Sequence, residues 1–177
     1  MSAARAAVLA TCVLTAGCTV FEQHDLQIEP HGPITQVADS PLALPNAPVF
    51  RVGIHTTPDL VSYADRTGFK ISAAMSLCTN GQFDPARPLQ SDPNVHDTRG
   101  TGVHADAPAA PWADYFLYAR VRAVPLTGQN IQWYDLAQMP QDVCVVLQGG
   151  EMLTGSFRSN TLVIPTGVIA GALRVTP

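Results

Sequence analysis

Phe69 to Cys78 constrains the fold more than any other stretch. Phe69, Ile71, Ala73, Met75 and Leu77 take every odd position, with Lys70, Ser72 and Ser76 between them. A period of two puts the five apolar side chains on one face of an extended strand and fits a helix badly. Tyr115 to Val124 repeats the pattern, with Leu117, Ala119, Val121 and Ala123 set against Tyr118, Arg120 and Arg122. One face of each strand is expected in a core and the other in water, as in antiparallel sheet.

Shorter segments point the same way. Val49 to Ile54 and Val143 to Leu147 are rich enough in β-branched residues for strands. Thr127-Gly128-Gln129-Asn130 reads as a turn into an Ile131–Tyr134 strand. Gly149-Gly150 reads as a hairpin turn before a strand from Glu151 to Phe157. Thr161 to Ile164 and Val168 to Val175 complete the set, with helix as the alternative for the last because of Gly171 and its apolar content. One helix is expected after Thr57-Pro58-Asp59. Thr57 would cap it, Pro58 would take the first helical position, and Gly68 would end it. The expected class is mainly β: an antiparallel β-sandwich with one short helix and a long irregular loop, a barrel being second. No internal repeat is visible.

The long loop is placed at residues 79–114, inserted in a β-sandwich domain of residues 49–177. Pro85, Pro88, Pro93, Pro108 and Pro111 fall there with Gly81, Gly100 and Gly102. Structureless connections of this length are uncommon inside compact domains and are often functional. Asn80, Arg87, Arg99 and Trp112 are its candidate binding residues. Ahead of the domain, residues 18–48 carry five prolines, and the acids Glu22, Asp25, Glu29 and Asp39 meet no base. That composition reads as a tether, with Leu26 and Ile28 able to dock as a short edge strand.

The first 17 residues read as a leader. Arg5 precedes an apolar run from Ala6 to Leu14, followed by the small residues Ala16 and Gly17. This is the layout of a secretory signal peptide, and the run is far short of the roughly 20 residues that cross a bilayer. Leu14-Thr15-Ala16-Gly17-Cys18 resembles the lipobox of bacterial lipoproteins. The resemblance covers about the first twenty residues, and it implies cleavage before Cys18 and fatty acylation of that thiol. Thr19, not aspartate, follows the cysteine, which under the same resemblance implies the outer membrane, facing the periplasm, rather than the inner membrane.

An oxidising compartment changes the reading of the two cysteines that lie beyond the leader and the lipid site. Cys78 and Cys144 are an even pair and are expected to form a disulfide. Their separation invites comparison with immunoglobulin domains, but Asp142 stands where those have a tyrosine, and both tryptophans lie far from Cys78. The chain has 10 basic and 14 acidic residues, and Lys70 is its one lysine. No basic patch is present, so nucleic acid is not an expected partner. Charged residues make up 14% of the chain, which predicts a rather apolar surface of the kind found on docking proteins.

Patterns that carry chemistry are few. His96, Asp97, His104 and Asp106 could supply zinc ligands, yet their spacing matches no compact motif and exposed loop residues are the simpler reading. Gly155-Ser156-Phe157 is half of a nucleophile elbow at best. Asp135, Asp142 and Glu151 form no evident carboxylate pair. Gly100-Thr101-Gly102 is too short to cradle phosphate. The sequence therefore predicts no catalytic residues, no metal and no cofactor. The expected protein is a lipid-anchored envelope lipoprotein, non-catalytic, that binds an envelope protein or peptidoglycan. The alternatives are a metal- or ligand-binding lipoprotein or hydrolase using residues 80–114, and an immunity-type lipoprotein.

Overall fold

The computed structural model describes residues 26–37, 42, 48–99, 112–125, 132–151 and 155–174. The leader, Cys18, His104, Asp106 and the Thr127–Asn130 turn lie outside the described residues. Two five-stranded antiparallel sheets face each other as a β-sandwich. Sheet one runs β1 (Gln27–Pro30), β3 (Val49–Thr57), β7 (Tyr115–Arg120), β6 (His96–Asp97), with β2 (Thr35–Val37) pairing β3 beyond β1. Sheet two runs β10 (Leu162–Ile164), β8 (Val143–Glu151), β4 (Ile71–Thr79), β5 (Gln82–Pro88), with β9 (Gly155–Arg158) pairing β8 beyond β10.

The core lies between the sheets and follows the two-residue period. Ala73, Met75 and Leu77 of β4 and Val143, Val145 and Leu147 of β8 meet Phe50, Val52, Ile54, Leu117 and Ala119 of β3 and β7. Helix α1 (Leu60–Thr67) closes one end, where Leu60, Tyr63, Phe69 and Phe157 pack together. The Tyr63 and Phe157 rings meet edge to face at 5.2 Å, and Phe69 stacks on Phe157 at 5.5 Å.

Several expectations are corrected. Leu26 and Ile28 dock as the expected short edge strand, so the sandwich takes in residues ahead of Val49. Leu26 and Ile28 are fully buried, and Gln27–Pro30 pairs with Ile54–Thr57. Pro30 ends its strand and Pro33 lies between strands, so neither removes a ladder hydrogen bond from a central strand. Residues 82–99 are not an irregular loop. Asn80 and Gly81 both have positive φ, 53° and 71°, and join β4 to β5 as a tight hairpin in which Thr79 pairs with Gln82. Asn-Gly suits such a turn because both residues tolerate the left-handed region. β7 is covered on both faces: Phe116, Tyr118 and Arg120 are as buried as Leu117 and Ala119.

Gly149-Gly150 is no turn. β8 runs through it to Glu151 and pairs with β9, Gly149 lying opposite Phe157. A Cβ on Gly149 would stand 2.0 Å from the Lys70 carbonyl and 2.9 Å from the Phe157 ring, so the glycine serves close approach. Gln132, Trp133 and Tyr134 form no strand. Asp135 makes an isolated bridge to Arg122, and its carboxylate accepts from the Ala137 and Gln138 amides, turning the chain at once.

The closing segment is a second helix, α2 (Thr166–Arg174). Asp142 Oδ1 accepts from both Thr166 N and Thr166 Oγ1, and Ile169 is buried beneath the helix. A capped apolar face outweighs the strand preference of its valines and isoleucine. The first helix is capped by Asp59, not Thr57. Asp59 Oδ1 accepts from Val61 N and Ser62 N, and Gly68 ends the helix at φ 72°. No helix among the described residues is long and apolar enough to cross a membrane.

Candidate functional site

The densest polar cluster gathers where β3 ends, α1 begins and β7 starts. Asp59 is fixed there by its capping role, and Tyr115 by being the first residue of β7. Arg99 follows β6, held in a turn in which Asp97 Oδ1 accepts from Arg99 N at 2.8 Å and Arg99 Nε at 3.2 Å. Arg99 Nη1 then reaches Asp59 Oδ2 at 2.7 Å. The Tyr115 hydroxyl donates to Asp59 Oδ2 at 2.9 Å and accepts from Arg99 Nη2 at 2.5 Å and Leu60 N at 3.2 Å.

The electrostatics follow from these contacts. Burial raises the pKa of the Asp59 carboxyl, but hydrogen bonds from Arg99, the Ser62 amide and Tyr115 outweigh it and hold the group below its ordinary value. Burial and the Asp59 carboxylate both push Tyr115 upward, so its proton is held firmly. A phenol so protected is neither base nor nucleophile near neutrality. The network ties α1 to sheet one, and this is what its geometry accomplishes.

Beside it, the His55 imidazole pairs with Asp114 at the rim, and the His31 ring lies 6.2 Å from that of His55. Among the described residues, no group of three or more His, Cys, Asp or Glu side chains is placed to hold a metal ion.

His96 and Asp97 do not act together. As neighbours on β6 they take opposite faces. His96 lies opposite Phe116, its Nε2 is 3.0 Å from Asp92 Oδ2, and its ring meets Tyr118 edge to face at 5.0 Å. Asp97 serves Arg99 on the other side. A single ion could not bind both, which removes the pair as zinc ligands.

The four candidate binding residues are likewise dispersed. Asn80 forms the β4–β5 turn. Arg87 donates to Gln141 Oε1 at 2.7 Å and lies near the Cys78 carbonyl. Arg99 belongs to the Asp59 network. Trp112 packs on the outer face of sheet one with Val49, Ala113, Phe116 and Tyr118. Its ring fills the space that side chains on Gly32 and Gly53 would need. Asn80 and Arg87 lie at the β4–β5 hairpin of sheet two, Arg99 and Trp112 on sheet one. Cys78 and Cys144 do come together, with Cα atoms 5.2 Å apart in a disulfide.

The outer face of sheet one is aromatic. Phe116 and Trp112 rings lie 5.1 Å apart, and the Arg51 guanidinium sits 4.2 Å above Phe116. Sequence reading missed this face because it assigned the alternate positions of β7 to solvent. One signal was available: Phe116 and Tyr118 are too large and apolar to be placed in water by default. Asp59 as cap and Asn80-Gly81 as turn were also legible from residue type alone.

Comparison with known proteins finds no match: no family model, no curated protein and no solved structure aligns with the chain.

Proposed function

We propose that this chain is a lipoprotein of the bacterial cell envelope, anchored by acylated Cys18, whose β-sandwich binds another envelope component without catalysis. The observation that carries the reading is Leu14-Thr15-Ala16-Gly17-Cys18 placed directly before a folded domain. Seven residues separate Cys18 from buried Leu26. Fully extended, such a link spans roughly 25 Å, so the anchor holds the sandwich close to the bilayer. The Cys78–Cys144 disulfide supports an oxidising compartment. The outer membrane, facing the periplasm, is the membrane this reading favours, because Thr19 and not aspartate follows Cys18.

A docking role is supported by the apolar residues left at the surface. Trp133 is 63% exposed and Met139 57% exposed, both beyond the end of β7. The first strand enters from the other end, where Gln27 pairs with Thr57. Trp133 and Met139 therefore lie at the end remote from the anchor, where a partner protein or peptidoglycan would be met. Envelope fractionation of the Cys18→Ser protein tests the anchor. Loss of the protein from the membrane fraction is expected, and an unchanged membrane fraction defeats the reading.

A further inference from the structure

Far apart in sequence, His31 and His55 meet on the outer face of sheet one. β1 pairs with β3 in a register that sets Glu29 opposite His55 and Ile28 opposite Thr56. The pairing runs one step past β1, where the His31 amide donates to the Gly53 carbonyl at 2.9 Å. Residues two apart on a strand share a face. Ile28 and Ile54 are buried on the inner side, so Glu29, His31 and His55 all stand on the outer one. His31 and His55 are diagonal neighbours there, a separation that aromatic side chains can bridge. Their ring centroids lie 6.2 Å apart, with planes inclined at 47°.

The His55 ring is held as metal-ligating imidazoles are held. Asp114 lies one step beyond the Ile54–Tyr115 pair, and its Oδ2 contacts His55 Nδ1. An ionised carboxylate can only accept, so Nδ1 carries the hydrogen and Nε2 keeps the lone pair. A carboxylate behind the ring in this way fixes the tautomer and raises the basicity of the other nitrogen. Two rings bound to one tetrahedral ion, with metal–nitrogen bonds of about 2.0 Å, have centroids roughly 5 Å apart. His31 and His55 are both exposed, so closing by about 1 Å takes only small rotations within their rotamer wells. Glu29, exposed and opposite His55, adds negative charge to the same face.

We propose that His31 and His55 together bind one divalent transition-metal ion of the zinc class, with water in the remaining coordination positions. Imidazole nitrogen selects zinc and its neighbours over calcium and magnesium, which take oxygen ligands. Two side chains fall short of the four that close a structural zinc site. The ion is therefore exchangeable and open to a further ligand. Asp114 acts through His55 as a positioning residue. The site is independent of the lipid anchor, and it stands or falls whichever membrane holds the protein.

The test is isothermal titration calorimetry of zinc chloride into the full-length chain in detergent, with calcium chloride titrated for comparison. Saturable binding of one zinc ion per chain is expected, and no saturable binding of calcium. His31→Gln and His55→Gln should each weaken zinc binding by about tenfold or more. Both positions are exposed, and either variant serves alone should the other not fold. Asp114→Asn should weaken binding severalfold in the wild-type background and have no effect in the His55→Gln background, because it acts through that ring. His24→Gln and His104→Gln, which change histidines elsewhere in the sequence, should bind zinc as the wild type does. Absence of saturable zinc binding overturns the proposal. So does wild-type affinity in the folded His31 or His55 variant, calcium binding as tight as zinc binding, or a loss in the His24 or His104 variant equal to that in His55→Gln.

Discussion

Cys78 and Cys144 join neighbouring strands of one sheet, not the two sheets to each other. Ser76 lies opposite Cys144 in the β4–β8 register, so Cys78 is the diagonal neighbour of Cys144. Cys144 is fully buried on the face turned away from the main core. The arrangement differs from immunoglobulin domains, whose bridge crosses between sheets. The bridge staples the central pair of sheet two and encloses a loop with a sequence separation of 66 residues.

Removing the bridge should therefore act on the unfolded chain more than on the folded one. The loop-entropy model gives roughly 4 kcal/mol for a closure of this length. Urea unfolding of the Cys78→Ala/Cys144→Ala protein should show a loss of that order with the β-sheet circular dichroism spectrum retained. A loss under about 1 kcal/mol would show that the strands are held by packing alone.

Trp112 occupies the volume above two glycines. A Cβ on Gly53 would stand 2.4 Å from Trp112 Cζ3 and 2.4 Å from the His31 carbonyl. Gly53→Ala should cost about 2 kcal/mol by forcing ring and backbone apart. Trp112→Ala should cost about 3 kcal/mol through lost packing. In the double variant the ring clash disappears but the His31 clash remains, so the two costs should fall short of adding. Thermal denaturation of the four proteins measures the coupling.

Acid should loosen the α1 junction. The Asp59 carboxyl sits below its ordinary pKa in the folded protein. A depressed folded value means that its stabilisation is complete above the unfolded pKa, near 4, and is lost as pH falls through the folded value. Asp84, held down by the Thr79 hydroxyl and the Ala86 amide, and Asp142, held down by the Thr166 hydroxyl and amide, add the same sign. Asp59→Asn keeps a capping side chain but removes the charge. Its stability should be lower than wild type at pH 7 and should fall less steeply below pH 4. Parallel acid limbs for the two proteins would count against the Asp59–Arg99 contact.

Alkali should act through tyrosine. Burial raises the Tyr134 pKa to about 12, more than the Gln90 amide and Arg120 lower it. A raised folded value means that stability is complete below the unfolded pKa, near 10, and is lost as pH rises towards 12. Tyr115 is shifted in the same direction. Of the four tyrosines, these two should ionise only with unfolding. Absorbance at the tyrosinate band, followed together with circular dichroism, should show the two changes coincide. Full ionisation at pH 10.5 in a folded chain would contradict it.

The sandwich was legible because its strongest strands obey a period of two. β4 shows it plainly, with Ala73, Met75 and Leu77 all in the core. The same rule misled at β7, since a strand covered on both faces breaks the alternation of solvent exposure without breaking the alternation of direction. Arg120 looked solvated by its type and is buried by its neighbours. The 80–99 segment was misread because proline and glycine counts were weighed above Asn80-Gly81, whose two residues alone specify the turn. α2 was obscured because a cap from Asp142, 24 residues away, cannot be seen in a local window.

Acylation of Cys18 is what the functional account rests on, and the mass of the mature N-terminus addresses it most directly. Protein extracted from bacterial membranes and digested for mass spectrometry should give an N-terminal peptide that begins at Cys18 and carries fatty acyl chains. A peptide running unbroken from Met1 through Gly17 into Cys18, with the thiol bare, would contradict the account.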